Sequence, residues 1–242
     1  MMKSIEELKE LHGDEYAKNF DQSDSYRLER LIARMNISSH AKVVDFACGS
    51  GMLLEYIAPR VQSYVGVDFS EPFIKIANAK KNKFASQSKD NLWAKKARFE
   101  CTSIQDFCRK NPGAFDVGFA MDISEHVYDE EWLDILKHIQ PSMAVGGKLY
   151  LHTPNGRFFL EIMKRHNFFV KQFPEHIAVR NLEENLALLK KAGFRISKAR
   201  LIPHYNILRF LHPLSFLPVI GPYFQARIFV EATKESPEQV AA

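Results

Sequence analysis

Asp45, the loop Ala47-Cys48-Gly49-Ser50-Gly51 and Asp68 form the most chemically pointed pattern in the sequence. The loop follows an apolar run, KVVDF (42–46), and leads into a helical pattern from Met52 to Ala58, so it is a strand-to-helix turn. Glycines at 49 and 51 let the backbone approach a ligand closely, and the helix start beyond them favours an anionic group. Nicotinamide and flavin proteins use a similar turn, but their fingerprint needs a third glycine where this chain has Leu54. Asp45 would repel a pyrophosphate and complements instead the ammonium and sulfonium charges of S-adenosylmethionine (SAM). Its plainer reading is a strand-end carboxylate capping the glycine turn. Asp68 ends a second apolar run, SYVGVDF (63–69), where a carboxylate accepts both ribose hydroxyls, as it would for any adenosine cofactor.

If the cofactor is SAM, the expected chemistry is methyl transfer, an in-line displacement in which a protein's main task is to position a nucleophile. An alcohol or phenol acceptor also needs a base whose pKa lies near working pH. His126 suits that role, because it lies just past the fourth apolar run, FDVGFAM (115–121), and Glu125 beside it can orient the ring or bind substrate. A structural histidine is the alternative. Asp122, Glu125 and His126 could ligate a divalent ion, but the sequence names no further ligand, and no metal is expected. His152 and Asn155 border a fifth run, KLYLHT (148–153), although a histidine one residue inside a strand end more often packs in the wall.

Positioning these groups requires alternating elements, and the chain supplies them. After the second run a helix starts near Glu71-Pro72, proline suiting a first turn. ARFEC (97–101) reads as a third strand, with Ser103 capping a short helix through Cys108. Trp132, Ile135, Leu136 and Ile139 place an amphipathic helix over Asp129–Ile139, and Gly146-Gly147 ends that region. A helix over Leu182–Lys191 stops at Gly193, and strands are expected at 194–199 and 226–233. The basic stretch from Lys80 to Lys96 reads as a solvated loop. Strand-helix alternation predicts an α/β fold, a Rossmann-like, doubly wound and mostly parallel sheet of about seven strands, with ligands beyond the carboxyl ends of the strands.

VVDFACGSGM (43–52) resembles motif I of the class I SAM-dependent methyltransferases, and VGVDFSEPFIKIA resembles the acidic motif that follows. FDVGFAMDISEHVYD and GGKLYLHTPN are similar to the later motifs, and SEHVYD to a stretch of the ubiquinone-pathway small-molecule O-methyltransferases. The resemblance runs over roughly Tyr16 to Phe194 and keeps four motifs in order. It implies Ala47 to Gly51, with Gly49 and Gly51, under the methionine moiety, Asp68 on the ribose, Ser103 and Ile104 beside the adenine, and Met121 near the methionyl end. Ser103 stands where the family often has an acid. Phe69 either stacks on the adenine or belongs to the core. Relatives carry a histidine where this chain has His176, in the segment covering the substrate; a loop histidine is the alternative. Their N-terminal helices fold over the cofactor, which makes Tyr16 and Arg27 candidate contacts.

The bulk numbers narrow the partners. With 46% hydrophobic and 26% charged residues, the 242-residue chain can bury a sizeable core. A net charge of +4, with basic and acidic residues interspersed, gives no reason to expect nucleic acid. Three irregularly spaced cysteines make neither a disulfide framework nor a zinc site and suit the cytoplasm. The charged start is no signal peptide. Leu208–Phe224, broken by Pro213, Pro218 and Pro222, is too interrupted to cross a bilayer, but it could form a membrane-surface patch, an acceptor pocket or a homodimer face.

The division expected is a cap over 1–40, a SAM-binding core over 41–155, and a substrate-covering segment with the last strands over 156–242. Dense aromatics from Phe158 to Phe224 suggest an acceptor that is apolar or aromatic in part. The expected function is O-methylation of a small molecule. Its alternatives are N-methylation of an amine or amino-sugar and, in a different class, a SAM-binding scaffold without turnover.

Overall fold

The computed structural model describes residues 25–88, 91–204 and 207–236. These divide into two compact units: the described residues up to Phe119 together with Pro141–Gly147, and Ala120–Gln140 together with the described residues from Lys148 onward. Seven strands form a mixed sheet in the order β3-β2-β1-β4-β5-β7-β6.

In the first unit, α1 (Ser25–Ile32) precedes β1 (Lys42–Phe46), α2 (Leu54–Ile57) and a 3-10 turn at Ala58–Arg60. Then come β2 (Ser63–Asp68), α3 (Glu71–Gln87), α4 (Leu92–Lys96), β3 (Ala97–Cys101), α5 (Ile104–Lys110) and the start of β4 (Phe115–Met121). β2 lies between β1 and β3 and runs parallel to both, Phe46 facing Val67 and Asp68 facing Cys101. Val43, Val44, Phe46, Tyr64, Val65 and Val67 are all buried. That is why β1 and β2 read as continuous apolar runs rather than alternating ones. Two acids interrupt them, Asp45 and Asp68, both close to the carboxyl ends. Gly66 lets the sheet close: a Cβ there would stand 2.5 Å from the Phe99 ring and 2.8 Å from the Cys48 sulfur.

The stretch from Lys80 to Lys96 is not a loop, and the expectation is corrected. α3 continues to Gln87 and α4 takes up Leu92–Lys96. Phe84 and Trp93 meet at 5.4 Å, and Asn91 donates to the Phe84 carbonyl, so aromatic anchors fold a segment whose lysines merely coat it.

The second unit holds the end of β4, a 3-10 turn at Ser124–His126, most of α6 (Asp129–Ser142) and the greater part of β5 (Met143–Pro154). α7 (Phe159–Arg165), α8 (Leu182–Lys191), β6 (Phe194–Ile202), 3-10 turns at Ile207–Phe216 and Gly221–Phe224, and β7 (Arg227–Lys234) complete it. β7 is antiparallel to β5 and to β6, Lys148 facing Thr233 and Ile202 facing Arg227. A reciprocal capping box of Asn181 and Glu184 starts α8.

The fifth strand starts earlier than the expected Lys148, and Gly146-Gly147 does not close the region before it. α6 runs through Pro141 to Ser142, and the glycine pair lies inside β5. Gly147 is there because backbone crowds it; a Cβ would meet the Ala144 oxygen at 2.7 Å. Among the described residues no helix is long and apolar enough to cross a membrane.

Candidate active site

The turn after β1 is built from left-handed residues. Ala47, Gly49 and Gly51 have φ of 54°, 50° and 72°. Ala47 adopts this region without glycine's freedom, at a cost of roughly 1–3 kcal/mol, so the surroundings must hold it there. Two bonds do so: Cys48 N–H donates to the Val67 carbonyl at 3.0 Å, and Gly51 N–H to the Cys48 carbonyl at 2.9 Å.

Asp68 ties this loop to the next. Its carboxylate accepts from Gly49 N–H at 2.9 Å and from Ser70 N–H at 2.8 Å, one bond to each oxygen. Asp45 is buried and accepts from the Tyr64 hydroxyl at 2.6 Å. Burial raises its carboxyl to about 7, against the lowering effect of that hydrogen bond and with the repulsion of Asp68 added. Burial likewise pushes the Cys48 thiol well above its ordinary value, so it stays S–H.

Three observations leave this cradle open to a ligand such as SAM. The Ser50 hydroxyl is buried with no hydrogen-bond partner among the described residues. The space where Gly49 would carry a Cβ is open, its nearest neighbour being Phe73 at 4.0 Å. Phe69 is 45% exposed, so it is not a core side chain. Ser103 caps α5, accepting from Asp106 N–H and donating to the Asp106 carboxylate, while Ile104 is buried behind it. Arg27 sits half-buried on α1. Tyr16 lies outside the described residues.

In the second unit, buried Met121 closes β4 and is followed by Asp122 at φ 52°. Asp122 accepts from His152 Nδ1 at 2.9 Å and lies 3.4 Å from an Arg227 nitrogen. His152 is fully buried, which places its ring in the wall. Asn155 is also buried; it donates to the Gln225 carbonyl at 2.6 Å and accepts from Arg157 N–H. Both residues suggested as acceptor contacts therefore hold strand ends together.

A hydroxyl relay sets Glu125. Ser124 donates to Thr153 at 2.8 Å, and Thr153 donates to Glu125 Oε2 at 3.0 Å, all three side chains being buried. His126 Nδ1 lies 3.1 Å from the Glu175 carbonyl. A carbonyl only accepts, so Nδ1 carries the proton and the neutral ring keeps its lone pair on Nε2. His176 meets His126 edge-on, with ring centroids 5.0 Å apart. Burial first, then His126 when it is protonated, and the charges of Lys164 and Arg227, lower His176 to about 3, so it is uncharged at neutral pH.

Glu125, His126 and His176 each offer a ligand atom, all within 4.8 Å of one another. Two imidazoles and a carboxylate suit a divalent transition ion. His176 thus joins the pair, while Asp122 is turned toward His152 and Arg227. The spacing of residues did not suggest Tyr64 or Arg180 as site residues. Tyr64 and Arg180 lie far along the chain from their partners, and no local signal marks either.

Comparisons with known proteins bear on the family and the fold. A family model described as "Methyltransferase domain" matches residues 20–199. The ubiquinone biosynthesis O-methyltransferase of Idiomarina loihiensis (strain ATCC BAA-735 / DSM 15497 / L2-TR) is 31% identical over 114 residues, covering 47% of this chain and 42% of that protein. The chain spans about half the length of the curated relatives it matches. Among solved structures, magnesium protoporphyrin IX methyltransferase (ChlM) from Synechocystis PCC 6803 with bound SAH aligns with a TM-score of 0.60 at 16% identity, covering 97% of this chain and 89% of that one. The [4+2]-cyclase SpnF aligns with a TM-score of 0.64 at 16% identity, covering 86% and 80%. At such identities these likenesses show the fold, and a cyclase among them is a reminder that the fold alone does not set the reaction.

Proposed function

This chain belongs to the methyltransferase-domain family as a class I, SAM-dependent member, and from that premise we propose that it methylates a hydroxyl of a small molecule, with His126 taking the proton. The observation that carries the reading is the bond from His126 Nδ1–H to the Glu175 carbonyl, which leaves the basic lone pair on Nε2. The name of the related ubiquinone O-methyltransferases supports a hydroxyl acceptor.

SAM, when bound, supplies a methyl carbon made electrophilic by its sulfonium. Its holders in this reading are the loop Ala47, Cys48, Gly49 and Gly51, with Asp45, for the methionine portion. Asp68 takes the ribose, and Phe69, Ser103 and Ile104 take the adenine. Glu125 lies within 4.8 Å of the His126 ligand atom and offsets the positive charge that the ring gains with the proton. His176, kept neutral, does not oppose that charge. Phe168, Phe169, Phe173, Phe210 and Phe216 are exposed in the segment between β5 and β7, which suits covering an acceptor with an apolar part.

A library of phenols, alcohols and amines, offered with radiolabelled SAM, tests the reading. An O-methylated product is expected, and exclusive amine methylation would overturn the hydroxyl assignment. His126→Gln should lower kcat about 100-fold, the usual worth of a general base, without changing SAM affinity. A near-normal rate would return the ring to a structural role.

A further inference from the structure

Arg180 lies immediately before the capping residue of α8 and is 3% exposed. Its guanidinium donates in four directions. Nε meets Asp129 Oδ1 at 2.7 Å, Nη2 the Val127 carbonyl at 2.8 Å, and Nη1 both the Ala178 carbonyl at 3.2 Å and the Ser124 carbonyl. Ser124 and Val127 are the residues on either side of Glu125 and His126. The fork therefore grips the backbone at both ends of the two-residue segment that carries the candidate chemistry.

The segment leading to Arg180 adds three further ties. Ile177 and Ala178 N–H donate to the Glu125 carbonyl at 2.9 and 3.1 Å, and the Glu175 carbonyl receives His126 Nδ1–H.

We infer that Arg180 is a positioning residue for the proton transfer, holding the backbone around Glu125-His126 so that the His126 lone pair keeps one direction and one tautomer. The inference rests on reading His126 as the base. Burying a cation is costly unless it is fully bonded. Its only carboxylate partner among the bonds above, Asp129, has a 71% exposed side chain, so most of the compensation comes from backbone carbonyls. What such a fork provides beyond cohesion is angular precision, since guanidinium is planar and presents its donors in a fixed geometry. Lysine, a single point charge with three rotatable donors, cannot hold three carbonyls and a carboxylate in these directions at once. Small misplacements matter to a reacting pair, on the order of 100-fold for 1 Å.

The experiment combines rates with a direct view of the ring. Arg180→Lys should lower kcat roughly 10- to 100-fold, leave SAM affinity within about twofold, and change acceptor KM little. Combined with His126→Gln it should cost almost nothing more, because two residues acting through one step are not additive. Nitrogen-15 spectra of the His126 ring should show a single Nδ1–H form in the wild type and a tautomer mixture in Arg180→Lys. Asp129→Asn, which alters only the exposed arm of the clamp, serves if Arg180→Lys fails to fold. It should lower kcat a few-fold, again with no further loss in the His126→Gln background. A wild-type rate for Arg180→Lys, or for Asp129→Asn if that variant stands in, would overturn the inference. So would a full additive loss in the double variant or an unchanged ring spectrum. A normal rate for His126→Gln alone marks failure of the base reading itself, and is seen without any Arg180 variant.

Discussion

Removing the Tyr64 hydroxyl should move the pH at which the protein takes up its cofactor. The perturbation is Tyr64→Phe, which leaves the ring packing and deletes the donor 2.6 Å from Asp45 Oδ2. Burial has already brought the Asp45 carboxyl to about 7, and the Tyr64 bond holds it from rising further. A hydrogen bond to a charged group contributes about 1.5–3 kcal/mol. At 1.36 kcal/mol per pKa unit, its loss lifts the carboxyl by roughly one to two units. At pH 7.5 the ionised fraction then falls from about three quarters to between about a quarter and a few per cent. A neutral acid no longer complements the cofactor's ammonium and sulfonium, so SAM affinity should weaken roughly 3- to 25-fold at pH 7.5 and recover above pH 9.

The sign for stability runs the other way. The folded carboxyl has a higher pKa than the unfolded one, so its favourable contribution is present in acid and is lost as pH rises through about 7. SAM should accordingly raise Tm more at pH 8 than at pH 6. Calorimetric titrations of SAM from pH 6 to 9.5 on both proteins provide the measurement. Coincident pH curves for wild type and Tyr64→Phe, or two flat ones, would refute the coupling.

Four further outcomes are expected. Asp68→Asn keeps the shape but sets an amide N–H₂ against one of two backbone donors, and leaving a buried donor unmade costs about 1–3 kcal/mol; SAM affinity and Tm should both fall, and unchanged values of either would contradict the bracket. Gly66→Ala forces a Cβ to within 2.5 Å of Phe99 and should destabilise by about 1–3 kcal/mol in urea unfolding, whereas an unshifted midpoint would mean the sheet gives way at no cost. His176 has a folded pKa of about 3, below its unfolded value, so acidification favours the unfolded chain progressively below pH 6.5; His176→Gln should flatten the fall in Tm between pH 6.5 and 4, and an identical slope would reject this source of acid sensitivity. Cobalt(II) or zinc titrated into the protein should compete with the proton for His126 Nε2 and slow methyl transfer, His176→Ala should relieve that inhibition, and indifference of the rate to metal would show that the three ligand atoms do not close around an ion.

The order of the elements was readable because its signals are local. Val-Val-x-Phe marked β1, the Ser103 cap marked α5, and Gly193 marked the end of α8. Each depends on a few neighbouring residues, and strand and helix periods are properties of a short window. The loop of Ala47 to Gly51 and the acids Asp45 and Asp68 were legible for the same reason, since charge and backbone freedom are written at single positions. The misread stretches were those where distant packing overruled local composition. Phe84 and Trp93 fold the lysine-rich segment into helices, and crowding by the Ala144 backbone keeps Gly147 inside a strand.

Which groups meet is set by the fold. Tyr64 reaches Asp45 across nineteen residues, Thr153 reaches Glu125 across twenty-eight, and Arg180 reaches Ser124 across fifty-six. The tautomer of His126 depends on a carbonyl forty-nine residues away. Hydrogen bonds act over about 3 Å, and no spacing in a chain encodes which distant atoms folding will bring within that reach. Local signals marked the glycine loop with its acids and named His126; folding turned the Nδ1 proton to the Glu175 carbonyl and brought a buried carboxylate and the His176 ring near the imidazole.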